Sequence, residues 1–128
     1  MELSLAVVGI DYANPDKSNR RFEIALCAPG DPVELRPEPK NKYDENAVAV
    51  FSDRGTQLGY LRSERAALIA RKLAAGEEAI ALFQAAGPAA AAIRVRFGGD
   101  APTLPPAAPP KASADAFFPD ADGSEWGA

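Results

Sequence analysis

The chain of 128 residues contains no histidine and only one cysteine, Cys27. Without histidine it can form neither Ser-His-Asp nor Cys-His nucleophiles, and with one cysteine it lacks the ligands of a Cys/His zinc site. A disulfide framework is excluded for the same reason. The Gly-rich phosphate loops GxxxxGK[S/T] and GxGxxG are absent as well. We therefore expect a binding protein that is not an enzyme, with no catalytic residues, no metal and no cofactor.

Long apolar segments are also absent. No stretch approaches the ~20 apolar residues that a membrane span requires, and the first residues lack the basic region and apolar run of a signal peptide. The length is that of one domain. We expect a cytoplasmic protein, monomeric and without a membrane partner.

Charge of one sign is concentrated at one end of the chain. Of the formal net charge of −4, none comes from residues 1–97, whose acidic and basic side chains balance. Residues 98–128 carry Lys111 against five acidic side chains. Because residues 1–97 carry no net charge, the protein is not expected to coat duplex DNA through bulk charge. A few cations could still bind the phosphates of a strand.

The apolar pattern predicts a mainly β fold, a small β-barrel of six or seven strands with one α-helix. Short segments in which apolar and polar residues alternate between turn formers are typical of half-buried strands. The clearest is a hairpin around Asp53-Arg54-Gly55. Ser63 is a candidate cap for a helix over 63–75. The predicted strands are 3–10, 22–26, 33–36, 47–51, 57–61, 79–85 and 92–97.

The sequence changes character after residue 97. Residues 98–116 are mostly Gly, Pro and Ala, which cannot supply a packed core, and the segment after them contains three aromatic and three acidic residues. We expect a barrel domain over 1–97 and a disordered linker and tail over 98–128. The alternative for the aromatic and acidic end is a docking peptide.

Four segments of the body together resemble the HIRAN domain. They are Arg21-Phe22, the segment 33–39, the run Asn41-Lys42-Tyr43-Asp44-Glu45-Asn46-Ala47-Val48-Ala49-Val50, and Gly55-Thr56-Gln57-Leu58-Gly59-Tyr60-Leu61. The resemblance covers roughly residues 5–97. It implies an OB-like barrel whose known members capture the 3′ end of single-stranded DNA.

The resemblance also implies roles for individual residues. Phe22 and Tyr43 would stack on the terminal bases, Asp44 would accept a hydrogen bond from the free 3′-hydroxyl, and Asn41 would contact the terminal nucleotide. Arg21 would meet a phosphate. A basic residue that some members carry after the hairpin reads Ser63 here, which leaves the adjacent Arg62 as the candidate for that contact. An aromatic that some members supply from the last hairpin has no clear match in 85–91.

Each of these residues also has a structural interpretation. The ring of Tyr43 could fold back onto the barrel, and Asp44 and Asn46 could form Asx turns that hold the amides of their own loop. Phe22 alternates with Ile24 and Leu26, so the pattern predicts that it faces the core.

The leading hypothesis is a module that captures 3′ ends of single-stranded DNA in DNA repair or replication-fork processing, with a helicase or nuclease as partner. The alternative is a protein-interaction adaptor whose barrel or acidic tail docks on a partner enzyme.

Overall fold

A computed structural model describes residues 1–104 and confirms a mainly β fold built on a closed barrel. Six strands and two helices make up this part of the chain. In chain order they are β1 (Glu2–Val8), α1 (Arg20–Leu26), β2 (Pro32–Pro37), β3 (Val48–Ser52), β4 (Gln57–Leu61), α2 (Ser63–Ala74), β5 (Ala79–Ala86) and β6 (Ala91–Phe97).

The barrel closes in the order β1-β4-β3-β2-β5-β6, and every pairing is antiparallel. The β1–β6 seam is long, with six residue pairs from Glu2↔Arg96 to Val7↔Ala91. The β1–β4 seam has only two pairs, Val7↔Leu61 and Val8↔Tyr60. Alternate side chains point inward and form the core, whose largest fully buried members are Val7, Val48, Val50, Leu58, Ile69, Phe83, Ile93 and Val95.

The prediction of a strand over 22–26 is wrong, because these residues belong to α1. The helix begins at the N-cap Asn19, whose side-chain oxygen accepts a hydrogen bond from the Phe22 amide (2.8 Å). Its inward face is formed by Arg20, Glu23 and Ile24 at helical spacing, two of which are charged. Phe22, Ile24 and Leu26 alternate in the sequence but do not share one face of the helix. Ile24 is buried, whereas Phe22, predicted to face the core, is 65% exposed.

The second helix, α2, is the one that the sequence predicts, but its N-cap is a different residue. Arg62 is the N-cap and makes no side-chain capping bond, while Ser63 is the first helical residue and not the cap. The helix buries Ala66 and Ile69 against the barrel and stops before Gly76, which adopts a left-handed φ of 85°.

The chain continues along the barrel after β6. Pro102 is buried, the Thr103 amide donates to Glu2 Oε2 (3.1 Å), and Arg96 pairs with Asp100 at 3.6 Å. The rest of the predicted linker and tail, 105–128, lies outside the described residues. Neither helix within 1–104 is long and apolar enough to cross a membrane.

Gly59 is the residue on which the short β1–β4 seam depends. A β-carbon at this position would overlap the carbonyl oxygen of Val8 and press on the Val7 side chain. Both neighbours belong to β1, so β1 and β4 can approach this closely only with glycine here.

We predict that Gly59→Ala lowers the free energy of unfolding by about 1–3 kcal/mol more than Gly55→Ala does, because only the first change forces atoms together. Gly55 also has a left-handed φ (84°), but the space around it is open, so its substitution isolates the backbone cost. Denaturant unfolding of both variants provides the measurement. Equal losses would show that the close approach is not what requires glycine.

Candidate nucleic-acid interface

The loop 38–46 between β2 and β3 is held in shape by its own backbone. The Glu38 amide donates to the Ala47 carbonyl (2.8 Å), which closes the loop at its base. The Ala47 amide in turn donates to the Asp44 carbonyl (3.0 Å). A polar loop of this length is thereby fixed at the point where the two strands begin to pair.

Asn41 organises the tip of this loop with its side chain. Its Oδ1 accepts hydrogen bonds from the amides of Tyr43 (2.9 Å) and Asp44 (3.1 Å), and its Nδ2 donates to Glu38 Oε1 (3.0 Å). Both atoms of the Asn41 amide are thus engaged within the loop. In this structure Asn41 positions Tyr43 and Asp44.

Tyr43 and Asp44 are presented differently to solvent. Tyr43 is 87% exposed, so the interpretation that its ring folds back onto the barrel is wrong. The Lys42 ammonium lies 5.4 Å from the ring centroid and covers one face of the ring. Asp44 is half-buried, and its Oδ1 accepts a hydrogen bond from the Asn46 amide (2.9 Å), which is the Asx turn that the sequence allowed.

The Glu38 carboxylate connects this loop to the barrel wall. Its Oε1 accepts hydrogen bonds both from Asn41 and from the Tyr60 hydroxyl (2.9 Å). Tyr60 lies on β4, and the guanidinium of Arg20 lies 5.7 Å from the centroid of its ring. Contacts therefore run from the loop through Glu38 and Tyr60 to the start of α1.

Arg20 holds the segment between β1 and α1. Its Nε donates to Asn14 Oδ1 (2.6 Å) and its Nη1 to the Gly9 carbonyl (2.8 Å). Burial lowers the pKa of the guanidinium, and the nearby Tyr60 and Glu38 act in the opposite direction. Arg20 therefore holds the segment between β1 and α1 in place. Its contact with the Tyr60 ring links this segment to the 38–46 loop, because Tyr60 also donates to Glu38.

A cleft of about 220 Å³ lies in that segment, lined by residues 10–13 and 17–21. Tyr12 lines it and is 74% exposed. Arg21 lines it as well, paired with Asp11, and its Nη2 also donates to the Pro88 carbonyl (2.7 Å). The hydrogen bond from Arg21 holds the pKa of Asp11 below its usual value. Arg21, predicted to bind phosphate, is thus already engaged within the protein.

The remaining predicted site residues, Phe22 and Arg62, make no side-chain hydrogen bond or ion pair with this network within residues 1–104. Phe22 and Leu26, 65% and 51% exposed, share one outward face of α1 at i, i+4 spacing. Arg62 lies at the start of α2 and pairs with Glu64 at 3.5 Å, both side chains being largely exposed.

The sequence of the chain matches a known protein family. The family model of the HIRAN domain matches residues 2–86, about two thirds of the chain. This chain belongs to the HIRAN domain family. Membership implies DNA binding, and a HIRAN domain is a binding domain rather than a catalytic one.

The chain is similar to a curated protein in sequence and to solved structures in fold. A helicase-like transcription factor of Oryctolagus cuniculus is 40% identical over 50 residues, which are 39% of this chain and 5% of that protein. The HIRAN domain of human HLTF shares the fold with a TM-score of 0.62 at 22% identity, covering 75% of this chain and 74% of that one. A Lactobacillus plantarum protein matches with a TM-score of 0.56 at 20% identity, over 74% and 98% of the two chains.

Three residues of the candidate site in this HIRAN domain were not among those predicted from the sequence. Tyr12 had a usable signal, because it is an aromatic residue in a polar segment directly after an apolar strand, as Tyr43 is in its loop. Glu38 and Arg20 had no such signal, since the Tyr60 partner of Glu38 lies 22 residues away and no local pattern distinguishes Arg20 from Arg21. Only the helical geometry of α1 turns Arg20 inward and Arg21 outward.

We predict that Glu38→Ala lowers the free energy of unfolding by about 1–3 kcal/mol, because it leaves the Tyr60 hydroxyl and the Asn41 amide without their shared acceptor. Hydrogen exchange at the Tyr43 and Asp44 amides should accelerate as the loop loosens. The matched control is Glu45→Ala, an exposed carboxylate of the same loop, expected to change stability by less than about 0.5 kcal/mol. Equal effects of the two substitutions would contradict the role of Glu38.

Proposed function

We propose that this HIRAN domain captures the free 3′ end of single-stranded DNA. The observation that carries the proposal is the state of the Asp44 carboxylate. One of its oxygens holds the Asn46 amide, while the other, Oδ2, accepts no hydrogen bond from any residue between 1 and 104. A half-buried carboxylate with a free oxygen beside an exposed aromatic ring can accept a hydrogen bond from the hydroxyl of a stacked nucleotide.

An aspartate at this position distinguishes an end from the middle of a strand. A terminal 3′-hydroxyl donates a hydrogen bond to the carboxylate, and bonds to charged groups are the stronger ones. An internal phosphodiester at the same place offers no donor and brings a second negative charge. The same carboxylate that stabilises a terminal hydroxyl therefore repels a continuing strand.

Exposed aromatic rings supply affinity that does not depend on base identity. Tyr43 keeps one ring face open, because Lys42 covers only the other. Tyr12 presents a second exposed ring. It lines the same cleft as Arg20, which contacts Tyr60 and through it the 38–46 loop. Stacking contributes about 1–3 kcal/mol per base and tolerates every base. We assign Tyr43 to the terminal nucleotide and Tyr12 to the next one, and Phe22, whose ring is 65% exposed, keeps its predicted stacking role in this proposal.

The biological setting extends this proposal. The relative that matches by sequence is helicase-like, and in it the matched segment is a small part of a much longer protein. We place this domain in DNA repair or replication-fork processing in the cytoplasm, as a monomer that delivers a captured end to a helicase or nuclease.

One observation favours the adaptor function instead. Phe22 and Leu26 form an outward apolar face on α1, and nothing in residues 1–104 covers it. Exposed large apolar side chains at neighbouring helical positions are typical of protein contacts. Under this alternative, Phe22→Ala would weaken binding of a partner enzyme and leave DNA binding unchanged.

We predict that a strand with a 3′-phosphate binds at least about tenfold more weakly than the same strand with a free 3′-hydroxyl, because it loses a charge-assisted bond worth about 1.5–3 kcal/mol. A 5′-phosphate should matter little. Asp44→Ala should abolish the discrimination, and Tyr43→Ala should weaken both strands alike. Fluorescence anisotropy with labelled oligonucleotides provides the measurement.

The control for these variants is Asp53→Ala, which removes an exposed carboxylate from the β3–β4 turn. It should retain the full preference for the free end. Equal affinity of the wild-type chain for both ends would contradict capture of the hydroxyl. No detectable binding to either strand would favour the adaptor.

A further inference from the structure

Lys17 stands out among the cations that line the cleft beside Tyr12. Arg21 is paired with Asp11 and bonded to a backbone carbonyl, and Arg20 is buried with donors directed at Asn14 and Gly9. Lys17 is exposed, and it makes no ion pair with any residue in the described part of the chain. Among the residues that line this cleft, Lys17 is therefore the one exposed cation that no acidic side chain of residues 1–104 pairs.

The anionic groups near Lys17 are occupied elsewhere. Asp11 lines the same cleft but is held by Arg21. Asp16 precedes Lys17 in the chain, yet its Oδ1 accepts hydrogen bonds from the Ser18 amide (2.9 Å) and the Ser18 hydroxyl. The ammonium of Lys17 is thus left for a ligand from outside.

The backbone at Lys17 is strained. Its φ of 70° makes it the one non-glycine residue with positive φ between residues 1 and 104. This conformation costs about 1–2 kcal/mol for a residue with a β-carbon. It is imposed by a tight turn in which the Lys17 amide donates to the Asn14 carbonyl (2.9 Å) and the Asn14 amide to the Ser18 carbonyl (3.3 Å). Glycine would suit this position better, and strain of this kind is typically retained where the side chain has a function.

We propose that Lys17 binds a backbone phosphate of the single strand, at the nucleotide that stacks on Tyr12. This inference rests on the proposed capture of single-stranded DNA and extends it to a second subsite. An aromatic ring and a free ammonium on one cleft match a base and its adjoining phosphate. Because the contact is to the backbone, it adds affinity without reading the terminal hydroxyl or the sequence.

The decisive variant is Lys17→Gly, because it should move stability and binding in opposite directions. Glycine removes the ammonium and also relieves the left-handed strain, so the melting temperature should stay level or rise. Affinity for a free 3′-hydroxyl strand should fall about fivefold at 0.1 M salt, and the log-log salt slope should become shallower by about 0.7. Discrimination against a 3′-phosphate should be retained, and Lys17→Arg should restore affinity.

The matched control is Arg71→Gln, which removes an equally exposed positive charge from the last turn of α2. It should leave affinity and salt slope unchanged. An unchanged affinity of Lys17→Gly, in a chain that still prefers free 3′ ends, would overturn the Lys17 subsite alone. An equal loss in Arg71→Gln would also overturn it, since net charge would then explain the effect. Failure of the wild-type chain to bind single strands would overturn both the subsite and the proposed function.

Discussion

The carboxylate of Glu38 accepts hydrogen bonds from Tyr60 on the barrel wall and from Asn41 in the 38–46 loop, and the arrangement of the site depends on this shared acceptor. The barrel fixes Tyr60 through the pairing of β4 with β1 and β3. Asn41 then fixes the amides of the loop tip. The position of an exposed ring and a carboxylate is thereby set by the strands and not by the loop sequence alone. Linked polar groups of this kind support one another, so losing one loosens the whole set.

A site of this design does not need a strongly positive protein. The acidic and basic side chains of residues 1–97 balance, and the two arginines near the site, Arg20 and Arg21, are engaged by neighbouring acceptors. Bulk charge favours duplex DNA of any sequence and does not distinguish an end from an interior position. In the proposed mechanism, a single carboxylate beside an aromatic ring recognises a local chemical difference, the presence of a hydroxyl in place of a phosphodiester. Neutrality of the body is therefore compatible with the proposed selectivity.

The sequence was sufficient for the parts of the fold that follow from local pattern. The β3–β4 hairpin and α2 carry their own turn and periodicity signals, and the structure has both. The helix α1 was missed because its buried face includes two charged side chains. Arg20 donates to Asn14 just before the helix, and Glu23 accepts from Ser52 and Arg54, which lie 29 and 31 residues along the chain. The 38–46 loop was singled out correctly as polar and exposed. The connection between this loop and Tyr12 depends on pairings across the barrel, which no local pattern contains.

The central claim is that the 38–46 loop and the segment from Tyr12 to Arg21 form a single site for one strand end. The most direct measurement is a ¹H–¹⁵N NMR titration of the full chain with a short single strand carrying a free 3′-hydroxyl. We expect the amides of Tyr12, Lys17, Tyr43 and Asp44 to shift together and to saturate with one dissociation constant, while those of α2 beyond Ala66 stay in place. Shifts confined to one of the two segments, or two different dissociation constants, would contradict the account.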